Sequence, residues 1–181
     1  MQCPYERGPG YRLSLSNLVA ALLATALATI DFSSGGVAIR LPQGWRKLDG
    51  STGDRLLFQE RSGSYQLTVT VLTFARGRES RESFERILQH RIDAERSVLA
   101  TPQDVKQGPI TNYGSGFACD FSGMDLPARR TFAGRVLMAE GLILVAYLEG
   151  LGKTPTEFST MRAAVLESVN IARVQSKGAP H

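Results

Sequence analysis

Cysteine and histidine are scarce, with two of each in 181 residues. Cys3 belongs to the opening segment, so removal of that segment leaves Cys119 alone and excludes an internal disulfide. Exported domains with small cores often rely on disulfides, so stability here must come from packing, in keeping with 43% hydrophobic residues. A structural zinc site takes about four Cys or His ligands, which one thiol with His90 and His181 does not supply. We therefore expect no metal and no cofactor.

Concentrated charge is also missing. The chain carries 21 Lys and Arg against 17 Asp and Glu, a net charge of +4, and these residues are spread along its length. Proteins that bind nucleic acid usually concentrate Lys and Arg on one face. The even distribution argues against a nucleic-acid partner and is typical of ordinary surface ion pairing.

No apolar run is long enough to anchor the chain in a membrane. The longest, Leu18–Ile30, falls short of the roughly 20 residues that a spanning helix needs. Its length suits the core of a signal peptide, with Arg7 and Arg12 before it and the small-x-small pattern Ala26-Leu27-Ala28 near its end. The alternative is an amphipathic or buried N-terminal helix, which the lack of a polar face disfavours. We predict that residues 1–28 are a signal peptide and that the mature protein is periplasmic or secreted.

The first half of the remaining chain has the patterns of β-strands and then of one helix. Val37–Leu41 has a single apolar face, after a polar break at 33–36. Arg55–Glu60 and Tyr65–Phe74 are β-rich runs that a short Gly-containing loop joins as a hairpin. Helical periodicity follows over residues 75–101.

That middle helix has a start signal and an amphipathic pattern. Ser80 is the predicted N-cap, with Glu82 in the first turn. The predicted stripe that faces the core contains Phe84, Ile87, Leu88, Arg91 and Ile92. The pairs Glu82–Arg86 and Arg91–Glu95 have the spacing of ion pairs, which we place on the solvent side.

The second half predicts three more strands and a closing helix. The strands are Ile110–Phe121, Arg129–Met138 and Leu142–Glu149. Glu140-Gly141 is the predicted tight turn between the second and third strands, and a capping box at Thr154–Glu157 opens the helix. Leu142–Ala146 has no polar position, which predicts a strand covered on both faces.

The strands are joined by hairpins, which excludes a parallel βαβ fold. The predicted class is α+β, with an antiparallel sheet flanked by helices. We expect one domain over residues 29–174 and a disordered tail over residues 175–181.

One motif resembles part of a phosphate-binding loop. Gly150-Leu151-Gly152-Lys153-Thr154 follows an apolar strand and opens a helix. The full loop also needs a glycine where this chain has Tyr147. We interpret the glycines as a turn and Thr154 as the helix cap.

Two catalytic arrangements are considered. Cys119 and His90 are the components of a Cys–His nucleophile, but Cys119 lies mid-strand between apolar neighbours, where burial makes a thiol inert. Asp120 and Asp125 are the components of a carboxylate pair for acid–base chemistry. We place them on either side of a hairpin loop, where Asp is common for turn formation alone. A small hydrolase using Cys119 or Asp120 is the alternative function.

A cluster of arginines is the candidate binding site. Arg129, Thr131 and Arg135 are assigned to one face of a strand, with Arg130 nearby. Guanidinium groups recognise carboxylates and other anions with paired hydrogen bonds. The competing interpretation is a solvated strand face with ordinary ion pairs.

The start of the domain resembles a known family. The segment VAIRLPQGWRKL, with its Pro42-Gln43-Gly44-Trp45 corner, is similar to the opening of PsbP-like proteins and their bacterial relatives of the DcrB kind. Residues 36–171 also follow that family's order of two strand groups, a middle helix and a closing helix. The resemblance implies an α/β/α sandwich and binding rather than catalysis, because its members dock on protein partners and no shared catalytic residues exist to carry over.

These observations favour an exported accessory or binding protein without enzymatic activity. We expect it to act on a protein partner in the cell envelope, with an adaptor or immunity protein of an interbacterial secretion system as a specific version. Neither a nucleic-acid partner nor a stable membrane anchor is expected, and the sequence leaves the oligomeric state open.

Overall fold

The computed structural model describes residues 29–34, 36–99 and 104–172, so the predicted signal peptide and tail lie outside the described residues. The strands are β1 (Thr29–Ser34), β2 (Val37–Pro42), β3 (Trp45–Lys47), β4 (Arg55–Glu60), β5 (Tyr65–Thr73), β6 (Lys106–Gln107), β7 (Thr111–Tyr113), β8 (Gly116–Asp125), β9 (Arg130–Ala139), β10 (Leu142–Leu151) and β11 (Asn170–Ile171). The helices are α1 (Arg81–Val98) and α2 (Pro155–Leu166). In this part of the chain, neither helix is both long and apolar enough to cross a membrane.

The strands form two antiparallel sheets. The larger sheet has eight strands in the order β3-β4-β5-β10-β9-β8-β6, with β7 also paired to β8. The smaller sheet has the order β1-β2-β11. The α+β class with an antiparallel sheet and flanking helices is confirmed, and the smaller sheet is an addition that the sequence did not predict.

Two hydrophobic cores cover the two faces of the large sheet. Helix α2 and the small sheet pack on one face, around residues such as Leu144, Leu148 and Phe158. Helix α1 packs on the other face, around residues such as Phe84 and Phe132. Strand β10 therefore sends alternate side chains into different cores, which confirms that this strand is covered on both sides.

The local start and turn signals are confirmed. Ser80 caps α1 by accepting a hydrogen bond from the Ser83 backbone N–H at 3.1 Å. Thr154 and Glu157 form the predicted capping box of α2. The turn between β9 and β10 places Glu140 at φ 53° and Gly141 at φ 76°, the left-handed geometry of the tightest hairpin turns.

Three predicted details are wrong. Residues 33 and 34 do not form a break, because they belong to β1, which pairs along its whole length with β2. The predicted strand Ile110–Phe121 is divided at Gly114, whose φ of 58° turns the chain between β7 and β8. Glu95 does not lie on the solvent side of α1. It is only 6% exposed and belongs to the buried side of that helix.

Candidate binding groove beside helix α2

A groove of 540 Å³ lies where α2, β8 and the β6–β7 segment meet. Its lining includes Lys106, Tyr113, Asp120, Arg135 and Arg162. Strands β8 and β9 form the floor, and α2 supplies one wall. We call this hollow the central groove.

An ion-pair network organises the central groove. Asp120 and Arg135 lie directly opposite each other on β8 and β9. Arg135 donates from Nε and Nη2 to the two carboxylate oxygens of Asp120 at 2.9 and 3.1 Å. Arg162 on α2 donates to the same carboxylate at 3.3 Å. Two guanidinium groups thus share one carboxylate, which leaves a positive charge in the groove.

Arg135 also connects the sheet to the end of α2. Its Nη1 donates to the Leu166 carbonyl oxygen at 2.9 Å. The last carbonyls of a helix have no partner within the helix, and a cation there suits the helix dipole. The same side chain therefore holds the Asp120 carboxylate and fixes the position of the α2 C-terminus over β9.

Two smaller hollows extend the central groove along β8. The first, of 380 Å³, shares Lys106, Ser122 and Arg162 with it. The second, of 250 Å³, continues from the first through Met124 and Leu126. We call this second stretch the apolar end. Leu126 is 66% exposed there, so a large apolar side chain is presented to solvent next to the charged centre.

Cys119 lies beneath this surface and does not face an imidazole. The residue is 2% exposed, and its thiol donates to the Gly108 carbonyl oxygen at 3.3 Å. Burial, followed by the negative charge of Asp120, raises the pKa of the thiol to about 11. His90 is exposed on α1. The structure therefore does not form the Cys–His nucleophile considered from the sequence.

Asp120 and Asp125 do not form a carboxylate pair. Both belong to β8, which corrects the prediction of a loop between them, because the strand continues to Asp125. An odd separation of five places their side chains on opposite faces, about 16 Å apart along the strand. Asp125 accepts a hydrogen bond from the Ala128 backbone N–H at 3.4 Å, which is a turn contact.

The three candidate arginines are divided between surfaces. Arg135 is in the central groove, and Arg129 lines the 250 Å³ hollow at the apolar end, in a turn with φ 50°. Arg130 points to the α1 face of the sheet, where its Nη1 lies 3.5 Å from Glu149. Arg130 and Arg135 are five residues apart on β9, so strand alternation places their side chains on opposite faces of the sheet. The predicted binding role of these residues stays a prediction.

Sequence reasoning missed Arg162, which completes the network. Its position four residues after Phe158 places it on the buried side of α2, where the pattern otherwise requires an apolar residue. An arginine at this position in the helical pattern was the feature of the sequence that could have identified Arg162 as a site residue. Among residues 29–34, 36–99 and 104–172, no three His, Cys, Asp or Glu side chains cluster as metal ligands would.

Comparisons with known proteins identify the fold. Neither the protein-family models nor the curated proteins give a match to the sequence. The solution structure of cyanobacterial PsbP (CyanoP) from Synechocystis is 12% identical with a TM-score of 0.53, over 80% of this chain and 93% of that chain. A crystal structure from Bacteroides thetaiotaomicron is 8% identical with a TM-score of 0.50, over 78% of this chain and 47% of that chain.

A third similar structure is LpqN, involved in cell envelope biogenesis of Mycobacterium tuberculosis. It is 16% identical with a TM-score of 0.45, over 90% of this chain and 98% of that chain. The likeness to CyanoP shows that this chain has a PsbP-like fold, as the opening Pro42-Gln43-Gly44-Trp45 corner implied.

Proposed function

We propose that the protein is an exported, non-enzymatic binding protein that acts on a protein partner in the cell envelope. The observation that carries this proposal is the groove along α2 and β8, which joins a positively charged centre to an exposed apolar end. Apolar anchors beside charged groups are typical of protein contact sites.

The chemistry of the groove favours binding over hydrolysis. A thiol nucleophile needs an accessible thiolate, whereas Cys119 is buried with a raised pKa. A general base needs a free carboxylate near the reacting group, whereas Asp120 is held by Arg135 and Arg162. The groups considered for a hydrolase are thus used in packing and ion pairing.

The two ends of the groove define what a partner offers. Arg162 keeps donors beyond its single hydrogen bond with Asp120, and Lys106 lines the same hollow. These cations fit a carboxylate on the partner. Met124 and Leu126 fit an apolar side chain at the other end. An adaptor or an immunity protein of an interbacterial secretion system is the specific role that we propose for such a surface.

Site-specific photocrosslinking in the cell envelope tests this proposal. A photoreactive residue at position 126 is expected to crosslink one partner, whereas the same residue at exposed position 90, on α1, is expected to give no such product. Addition of Arg162→Glu to the position-126 probe should abolish the product. Equal crosslinking from both positions, or a product that persists with Arg162→Glu, would overturn the proposal. Mass spectrometry of the product then distinguishes an adaptor cargo from a toxin.

A further inference from the structure

A second polar groove, of 520 Å³, lies on the α1 face of the large sheet and shares no residue with the groove beside α2. Its lining includes Arg55, Thr68, Thr70, Arg91, Tyr147 and Glu149. Helix α1 packs over β8, β9 and β10, so the strands β4 and β5 form an open floor at this end. We call this hollow the α1-side groove.

A buried polar network supports one wall of the α1-side groove. The Tyr147 hydroxyl donates to Glu95 at 2.9 Å and accepts from Arg130 at 3.3 Å. Arg130 also lies 3.5 Å from Glu149 and is 19% exposed. These contacts fix Tyr147 and Glu149 in position, so the wall is preorganised before any ligand arrives.

Two arginines line the space between the walls. Arg91 is paired with Glu95 through one nitrogen, and its guanidinium lies 4.6 Å from the Tyr147 ring centroid. Its Nε is buried and has no hydrogen-bond partner among the described residues. On the floor, Arg55 lies directly opposite Thr70 across β4 and β5. Two guanidinium groups therefore line the same hollow as the hydroxyl groups of the floor.

We propose that the α1-side groove binds an anionic carbohydrate. A carboxylate or phosphate group would lie between Arg55 and Arg91, because guanidinium forks bind oxyanions with paired hydrogen bonds. Sugar hydroxyls would contact Thr68, Thr70 and the carboxylate of Glu149, which accepts hydrogen bonds.

The balance of charges selects this class of ligand. Arg55 and Arg91 attract one anionic group, while Glu149 disfavours a second anion and favours a hydroxyl donor at the far end. The volume of 520 Å³ falls within the range of small-molecule sites and exceeds what an isolated inorganic anion requires. A sugar acid and a sugar phosphate share the required chemistry, and the experiment separates them.

Calorimetric titration with defined probes tests the site. Glucuronate and glucose 1-phosphate each carry one anionic group and several hydroxyls, whereas glucose lacks the charge and inorganic phosphate lacks the ring. We expect binding of one of the two anionic sugars at least tenfold tighter than that of glucose or phosphate. Tighter binding of glucuronate would identify a carboxylate as the preferred anionic group, and tighter binding of glucose 1-phosphate would identify a phosphate. Equal binding of phosphate and glucose 1-phosphate without glucuronate binding, or no binding by either sugar, would overturn the proposal.

Matched variants locate the binding. Arg55→Gln and Thr68→Val are each expected to weaken the preferred sugar about tenfold. Arg61→Gln, on the exposed β4–β5 turn, and Thr73→Val, at the exposed end of β5, should leave its affinity unchanged. Thermal unfolding of the free variants controls for folding. Affinity that is unaffected by Arg55→Gln and Thr68→Val in folded protein would contradict this location.

Discussion

Asp120 and Arg135 face each other across β8 and β9 and are joined by two hydrogen bonds of 2.9 and 3.1 Å. Their side chains are 27% and 20% exposed, so water screens the pair only in part. Removal of the carboxylate leaves Arg135 and Arg162 close together without their shared counter-charge. Arg135 would keep its hydrogen bond to the Leu166 carbonyl oxygen but lose the two to Asp120. The loss is costly because water reaches the site only in part and cannot fully replace these partners.

We therefore expect Asp120→Ala to lower the free energy of unfolding by about 2 kcal/mol. Asp125→Ala is the matched control, because it removes the same group from the same strand but breaks only a long turn contact. Urea denaturation of the two variants measures the difference. Losses of equal size would show that the network does not stabilise the fold.

The Cys119 thiol should resist alkylation in the folded protein. With a pKa of about 11, roughly one thiol in a thousand is ionised at pH 8, and the side chain is buried. Iodoacetamide is expected to modify Cys119 only after denaturation, as mass spectrometry of the Cys119 peptide would show. Rapid labelling of the native protein would contradict the buried placement and revive the hydrolase alternative.

Stability should fall at high pH through Tyr147. Burial, followed by the charge of Glu95, raises the pKa of Tyr147 above its ordinary value. The folded state therefore holds this proton more tightly than the unfolded state, so the contribution is complete below about pH 10 and decreases as pH rises above that. Urea midpoints between about pH 8 and pH 11 measure the decrease.

Tyr147→Phe should make that decrease shallower, because the titrating proton is gone. Tyr65→Phe is the comparison, since the pKa of Tyr65 is also raised, by burial first and then by Glu157 and Glu60, at a site outside this network. An unchanged pH dependence in Tyr147→Phe would show that other groups cause the loss.

Gly116 is expected to tolerate no side chain. A Cβ atom there would lie 1.9 Å from the Met138 carbonyl oxygen, which is backbone and has little freedom to move. Gly116→Ala should destabilise the protein by about 2 kcal/mol or more. Gly53→Ala is the control, because nothing lies within 4 Å of its added Cβ. Similar thermal midpoints for both variants would contradict the close approach of Gly116 on β8 to the Met138 backbone on β9.

The sequence predicted features whose causes are local. The capping box at Thr154 and the turn at Glu140-Gly141 depend on neighbouring residues, and both appear in the structure. The small sheet depends instead on pairing across the chain, with Asn170 opposite Ala38. A two-residue strand such as β11 has too short a pattern to be detected.

The candidate site was only partly predictable for the same reason. The alternation of apolar and polar residues along the strands placed the Cys119 side chain in the core and identified Arg135 as a candidate binding residue. It could not show that Arg162, from a helix distant in sequence, would share the carboxylate of Asp120. The α1-side groove likewise depends on Glu95, whose charge the helical pattern assigned to solvent although the sheet buries it.

The end of α2 is where the central groove and the small sheet meet. Arg135 holds the Leu166 carbonyl, and the Tyr113 hydroxyl of the groove wall accepts the Ile171 backbone N–H at 2.9 Å. Ile171 belongs to β11, which pairs with β2. An occupant that immobilises Tyr113 and Arg135 would therefore slow hydrogen exchange at the Ile171 amide. Deuterium uptake in the edge strand β11 would then report occupancy of the central groove, although β11 does not line that groove.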